Sequence, residues 1–357
     1  MNLKTYELNL VQVEEAFSKS KTNKYSDHKK NNHFSQLHEL FLIIKETDYT
    51  QFTVQDISEH KFIFDYLFKC LEFLDDSTLN TTPYEIVSCL DKALKDWVLD
   101  EKFIIVTSLS NKINHFSLES YGFERINLLK KIIKNRYDLN LNYRLIKINL
   151  PRTLVRDYLT SVVLYHELGH FIDSELNITN RMFFKKYSKS HFHINNREEF
   201  EYLHYKREYF ADLFAAQYIA NSSNNYLNHI AYKEPNSEKH PATDTRVKVV
   251  EDFLCGYPND EVTSIQEILN EINKEKFKIR FELIPSDNNG FIKLVPHEIN
   301  NDQKLHAIFK LGWDLWLDSE NNFLKRFSRR RKYHIINNLI EKSISTYNTI
   351  ETWKQIK

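Results

Sequence analysis

Residues 152–175 read RTLVRDYLTSVVLYHELGHFIDSE, a helix-like run that contains His166-Glu167-Leu168-Gly169-His170. The pattern is HExxH. At 3.6 residues per turn, two histidines four apart leave one face of a helix on successive turns, so both imidazoles can reach one metal ion with Glu167 beside it. Leu154, Leu159, Val162, Val163, Leu168, Phe171 and Ile172 make the opposite side apolar. A helix with such a face is buried against a core, which holds its ligands in place.

Working outward, the next strong helix spans 197–220, REEFEYLHYKREYFADLFAAQYIA. It carries Glu208 and Asp212 four apart on one face, and Ala211, Ala215 and Ala216 are small enough for another helix to come close. A catalytic zinc needs a third protein ligand and an open position, and its histidines usually donate their other ring N–H to a carboxylate. Glu208 can be that ligand and Asp212 that carboxylate. Glu208 follows His170 by 38 residues, enough for a loop and a return helix packed antiparallel to the first. His204, one turn before Glu208, is a rival ligand. Asp173 shares the His166 face and is either a further hydrogen-bond acceptor for the site or a surface charge.

HELGH followed by EYFADLFAAQY resembles the gluzincin metallopeptidases, whose zinc is held by two histidines and a downstream glutamate. Residues 240–247, HPATDTRV, are similar to the HPxxxxR element of the peptidase family that includes the prenyl-protein peptidase and HtpX-like enzymes. This resemblance implies that His240 helps to stabilise the tetrahedral intermediate and that Arg246 orients the zinc-bound glutamate. It covers about residues 152–254, and that family's membrane spans have no counterpart here. The metzincin continuation is excluded, because its glycine and third-ligand positions hold Asp173 and Leu176.

Composition sets the frame for these motifs. The 357 residues suffice for one to three domains, and the 49 basic and 49 acidic side chains cancel, so no global field draws the chain to nucleic acid or an anionic membrane. Only 5 glycines and 7 prolines point to a helix-rich chain, with 25 Phe and 20 Tyr supplying core volume. Cys70, Cys89 and Cys255 are odd in number and lack CxxC spacing, which fits a reducing compartment. The opening MNLKTYELNLVQVEE has no signal-peptide core and no apolar run approaches a membrane span, so the expectation is a cytoplasmic protein.

Residues 1–100 read as a helical N-terminal region, with apolar positions at helical spacing over 34–44 and 62–74. Thr82-Pro83-Tyr84-Glu85 is a cap signature ahead of a helix over 86–98. The lysine-rich stretch 21–33 reads as a solvated loop, and His38-Glu39 as helix surface, since Leu42 stands where a second histidine would be needed. Residues 101–255 form the expected metallopeptidase core, with strands at 103–106 and 143–150 around a helix near 126–133. The second strand is either an edge able to pair with an extended substrate or a buried strand. Residues 256–357 read as an accessory region, with a hairpin around 285–290 (PSDNNG) and helices over 305–317 and 333–344. The basic run 325–332, KRFSRRRK, reads as a solvated helix rather than a nucleic-acid site.

The expected fold is therefore α+β and mainly helical: a zincin-like core in which the HExxH helix packs on a second ligand helix and a small sheet, flanked by helical regions. The expected function is a zinc-dependent metalloendopeptidase acting on an intracellular protein or peptide, with zinc-bound water as nucleophile, Glu167 as general base, and His240, Tyr205 or Tyr209 as oxyanion donor. Two alternatives stand beside it. One is a zinc-containing sensor with a peptidase-like fold; the other is a dedicated regulatory or phage-defence peptidase that cuts a single host or repressor protein, a choice suggested by the large flanking regions.

Overall fold

The polar stretch before residue 34 is where the structure first departs from the sequence reading. Asp27 accepts the Lys29 N–H at 2.8 Å and starts a helix at His28, so Lys30 and His33 become inward positions instead of loop residues. Lys30 is buried with its ammonium donating to Ser77 Oγ at 3.1 Å. The computed structural model describes residues 3–25, 27–78, 83–98, 103–111, 117–120, 123–189, 193–275, 277–285, 290–318 and 325–356. These residues are mainly helical with one small sheet, an α+β chain.

Chain contacts group the molecule into two compact units, residues 1–84 with 100–155 and residues 85–99 with 156–357. The first holds α1 (Leu3–Ser20), α2 (His28–Glu46), α3 (Val54–Asp75), β1 (Phe103–Ser110), β2 (Ser117–Ser120), α5 (Phe123–Tyr137) and β3 (Arg144–Pro151). Helix α3 opens with a reciprocal cap, Thr53 bonding the Asp56 amide while Asp56 bonds the Thr53 amide. Leu37, Leu40, Phe41 and Ile44 of α2 meet Ile63, Phe64 and Leu67 of α3 and Ile104 and Val106 of β1 in one core. The sheet order is β1-β3-β2, with β1 parallel and β2 antiparallel to β3. Strand β3 is therefore central, paired with β1 along its length and with β2 over Ile146–Asn149, so that over those four residues it is not an edge strand. The short, polar β2 covers it, with Asn149 Nδ2 donating to Ser117 Oγ at 2.8 Å.

The second unit holds α4 (Tyr84–Lys95, apart from its first residue), α6 (Val163–Leu176), α7 (Ile178–Tyr187), α8 (Arg197–Ile219), α9 (Ser222–Ile230), α10 (Thr243–Cys255), α11 (Asp260–Glu271), α12 (Asp302–Leu317) and α13 (Arg329–Ile356). The cap residue expected at Thr82 lies outside the described residues. Asn196 caps α8 by accepting the Glu199 N–H at 2.9 Å. From Glu208 to Ile219 every residue of α8 is buried, and α6, α7, α9, α10, α11 and α12 all pack on it.

The motif helix is shorter than the 152–175 run. Arg152–Leu154 form a single 3-10 turn and α6 begins at Val163. The amides of Tyr158 and Leu159 are bonded instead by Asn337 Oδ1 from α13, at 2.6 and 3.2 Å, and the Leu159 carbonyl accepts from Trp313 Nε1. Backbone groups satisfied by distant side chains have no need of helical partners. The expected hairpin is also absent from its described parts. Residues 277–285 form no strand, because the Arg280 amide bonds the Gln217 carbonyl and the Glu282 amide bonds that of Gln303, and Gly290–Lys293 is a 3-10 turn. The turn at 286–289 lies outside the described residues. Of the basic run 325–332, the first four residues precede α13 and the last four open it; all are exposed except Phe327 and Lys332, whose ammonium donates to the Trp316 carbonyl at 2.9 Å.

Helices α6 and α8 run antiparallel, since His166 meets Asp212 while His170 meets Glu208. A Cβ added to Gly169 would lie 2.8 Å from Ala211 Cα and 3.1 Å from Phe214 Cβ, so only glycine permits this approach. Gly169→Ala is expected to lower stability by about 1–3 kcal/mol through overpacking, despite the ~1 kcal/mol that alanine gains in helix propensity. Thermal unfolding checks this; an unchanged or raised Tm would mean that the two backbones are not held so closely.

Candidate metal centre

Helix α6 presents His166 and His170 with their ring centroids 4.6 Å apart, and α8 brings Glu208 against both. Glu208 Oε2 is 3.6 Å from His166 Nε2, and Oε1 is 3.5 Å from His170 Nε2. The ligand atoms of these three side chains all lie within 4.8 Å of one another. Separations of 3.5–3.6 Å are too long for good hydrogen bonds. They do suit atoms converging on one ion: two donors about 2.0–2.1 Å from a tetrahedral zinc stand about 3.3–3.4 Å apart.

The surrounding bonds fix this arrangement. Asp212 Oδ1 accepts from His166 Nδ1 at 2.9 Å, which leaves Nε2 as the nitrogen facing Glu208. Arg246, from α10, donates to both oxygens of Asp212 at 2.7 Å through Nε and Nη2, and its Nη1 lies 3.1 Å from Glu208 Oε2. His240 Nδ1 is 3.4 Å from the same oxygen. Residue 240 is positioned by turn bonds, with Ser237 and His240 bonding each other and Tyr205 donating to the Ser237 carbonyl at 2.6 Å.

The charge states follow from these contacts. Burial opposes ionisation of Glu208, but its contact with His240 and the charges of His166 and Arg246 hold its carboxyl well below the ordinary range. Burial likewise works against the Asp212 carboxylate, and the Arg246 guanidinium outweighs it. Burial lowers His170, and His166 beside it lowers it further, keeping the imidazole neutral as a metal ligand requires.

The sequence-derived residues are thus largely brought together. His166, Glu167, His170, Glu208, Asp212, His240 and Arg246 all line one cavity of about 210 Å³. Asp173 is placed elsewhere: it is buried and accepts the Thr179 N–H and hydroxyl at 2.8 and 2.6 Å, closing the start of α7, so it is neither a site acceptor nor a surface charge. His204 packs on Phe200, ring centroids 4.2 Å apart, and among the described residues the group that could hold a metal is His166, His170 and Glu208 without it. Tyr205 and Tyr209 do not line the cavity. Val163, which the sequence reading put on the side opposite the histidines, lines the cavity with them, as its spacing of three, four and seven residues from His166, Glu167 and His170 allows. Sequence reasoning missed Ser223, Tyr226, Leu227 and Ile230, which complete the wall and whose only signal was the spacing of 226, 227 and 230 within the otherwise polar SSNNYLNHI.

Comparison with protein-family models, with curated proteins and with solved structures gave no match.

Asp212 generates the next prediction. It fixes the His166 tautomer and neutralises Arg246, so Asp212→Ala is expected to weaken zinc binding about 10- to 100-fold. Asp212→Asn keeps an acceptor for the Nδ1–H and should lose less. Competition against a chelator of known affinity measures both, and wild-type affinity in Asp212→Ala would contradict the role.

Proposed function

We propose that the chain is a zinc-dependent metalloendopeptidase of gluzincin type with a zincin-like core, hydrolysing peptide bonds of a protein substrate. The observation that carries this reading is the convergence of His166, His170 and Glu208 in a cavity that Glu167 also lines. Three protein ligands next to open space are what a catalytic centre needs, whereas structural zinc is closed by four.

Zinc, when bound there, supplies the Lewis acidity that acidifies water and polarises a carbonyl. His166 and His170 bind through their Nε2 atoms and Glu208 through its carboxylate. Asp212 and Arg246 hold these ligands in orientation. Glu167 takes the proton from the attacking water and returns it to the leaving amine. His240, 60% exposed at the cavity, donates to the oxygen on which negative charge develops. No helix among the described residues is long and apolar enough to cross a membrane. A cytoplasmic setting belongs to the proposal and rests on the unpaired cysteines Cys70, Cys89 and Cys255.

One observation favours the competing reading of a sensor with a closed zinc site: His240 Nδ1 stands 3.4 Å from Glu208, near enough to become a fourth ligand. Two variants separate the readings. Glu167→Gln is expected to keep stoichiometric zinc and lose peptide hydrolysis by several orders of magnitude, while His166→Ala loses the zinc. Metal analysis with a mixed-peptide digestion assay checks both. Full zinc in His166→Ala refutes the ligand assignment, and a zinc-loaded wild type without hydrolysis supports the closed-site reading.

A further inference from the structure

The cavity at the candidate metal centre has a chemically mixed lining. His166, Glu167, His170 and Glu208 are polar and ionisable, whereas Val163 of α6 and Tyr226, Leu227 and Ile230 of α9 add apolar surface, with Ser223 of α9 beside them. The three α9 residues share one side of a short helix that follows α8 after Ala220, where φ is 53°. Asn224 Nδ2 donates to the Val247 carbonyl at 3.2 Å, which ties α9 to the helix carrying Arg246. The apolar wall is therefore braced by the same element that orients Glu208.

Size and charge narrow what this wall receives. About 210 Å³ is less than the ~300–1,000 Å³ of pockets that enclose whole drug-sized ligands, and it suits one side chain with its adjoining backbone. Arg246, the arginine lining the cavity, is already engaged by Asp212 and Glu208, and the side chains of Val163, Leu227 and Ile230 offer an acidic group no hydrogen bond. A lysine or arginine would leave water for apolar walls at a cost in hydration. Tyr226 is 4% exposed and Ile230 is 47% exposed at the mouth, so the walls run from interior to surface.

We propose that this face of α9 is a side-chain subsite selecting a bulky apolar residue, leucine, isoleucine, methionine or phenylalanine, beside the bond to be cut. The inference rests on the peptidase reading, and its test separates the two. Zinc-loaded Glu167→Gln protein is titrated calorimetrically with blocked peptides that differ at one position, carrying glycine, aspartate, lysine, leucine or phenylalanine. The leucine and phenylalanine peptides are expected to bind at least about 10-fold tighter than the others. Adding Ile230→Asp, an exposed change that folding tolerates, should abolish that preference with zinc content unchanged, and Leu227→Ala should weaken it. Wild-type protein is assayed for cleavage of the same peptides. Apolar-selective binding without cleavage supports the subsite and defeats the peptidase reading. Cleavage without residue preference overturns the subsite alone, as do equal affinities, undetectable binding of the leucine and phenylalanine peptides, or a preference that survives both variants.

Discussion

The candidate site depends on one steric fact, that Gly169 lets α6 lie against the backbone of α8 at Ala211. The approach puts His166 level with Asp212 and His170 level with Glu208, so residues 38 or more positions apart in the chain share one space. Rigidity comes from α8, which is buried along its whole second half and packed on by six other helices. A side chain on such a helix cannot drift without disturbing a close-packed interior. The neighbours of Gly169 act in the same sense: Leu168, Phe171 and Ile172 are all buried, and Tyr165 bonds His306 of α12 at 2.8 Å.

Electrostatics then selects what the space holds. Glu208 and Asp212 bring two negative charges into a buried region, and Arg246 returns one positive charge to both. Glu167 adds a further carboxylate to the same cavity. Buried charge is tolerated when it is paired or binds a metal, and Glu208, flanked by His166, His170 and Arg246, is the carboxylate placed where a cation could be held. The Asp212–His166 bond serves two ends, orienting a ligand and joining the arginine pair to the centre.

Much of this was legible in the sequence because it rests on short-range periodicity. HELGH and the Glu208–Asp212 pair needed only the helical repeat, and the alanines on α8 announced a close approach whose partner is Gly169. Strands β1 and β3 and the helix between them followed from β-branched runs. What was not legible depends on distant partners. Residues 152–162 look helical until Asn337, some 180 residues later, takes the amides of Tyr158 and Leu159. Residues 277–285 look like a strand until Gln217 and Gln303 claim their backbone. The central place of β3 was hidden because its second neighbour, Ser117–Ser120, is four residues long and has little strand character. Asp173 was misread because its partner, Thr179, belongs to a helix the sequence did not reveal.

The central claim is that one metal ion is held by two imidazoles and a carboxylate from α6 and α8. X-ray absorption at the zinc edge of the metal-loaded protein tests it most directly. The account predicts one zinc per chain, bound by nitrogen and oxygen at about 2.0–2.1 Å with two imidazole scattering patterns and no sulfur. Sulfur at about 2.3 Å, or no stoichiometric zinc after loading, would contradict it.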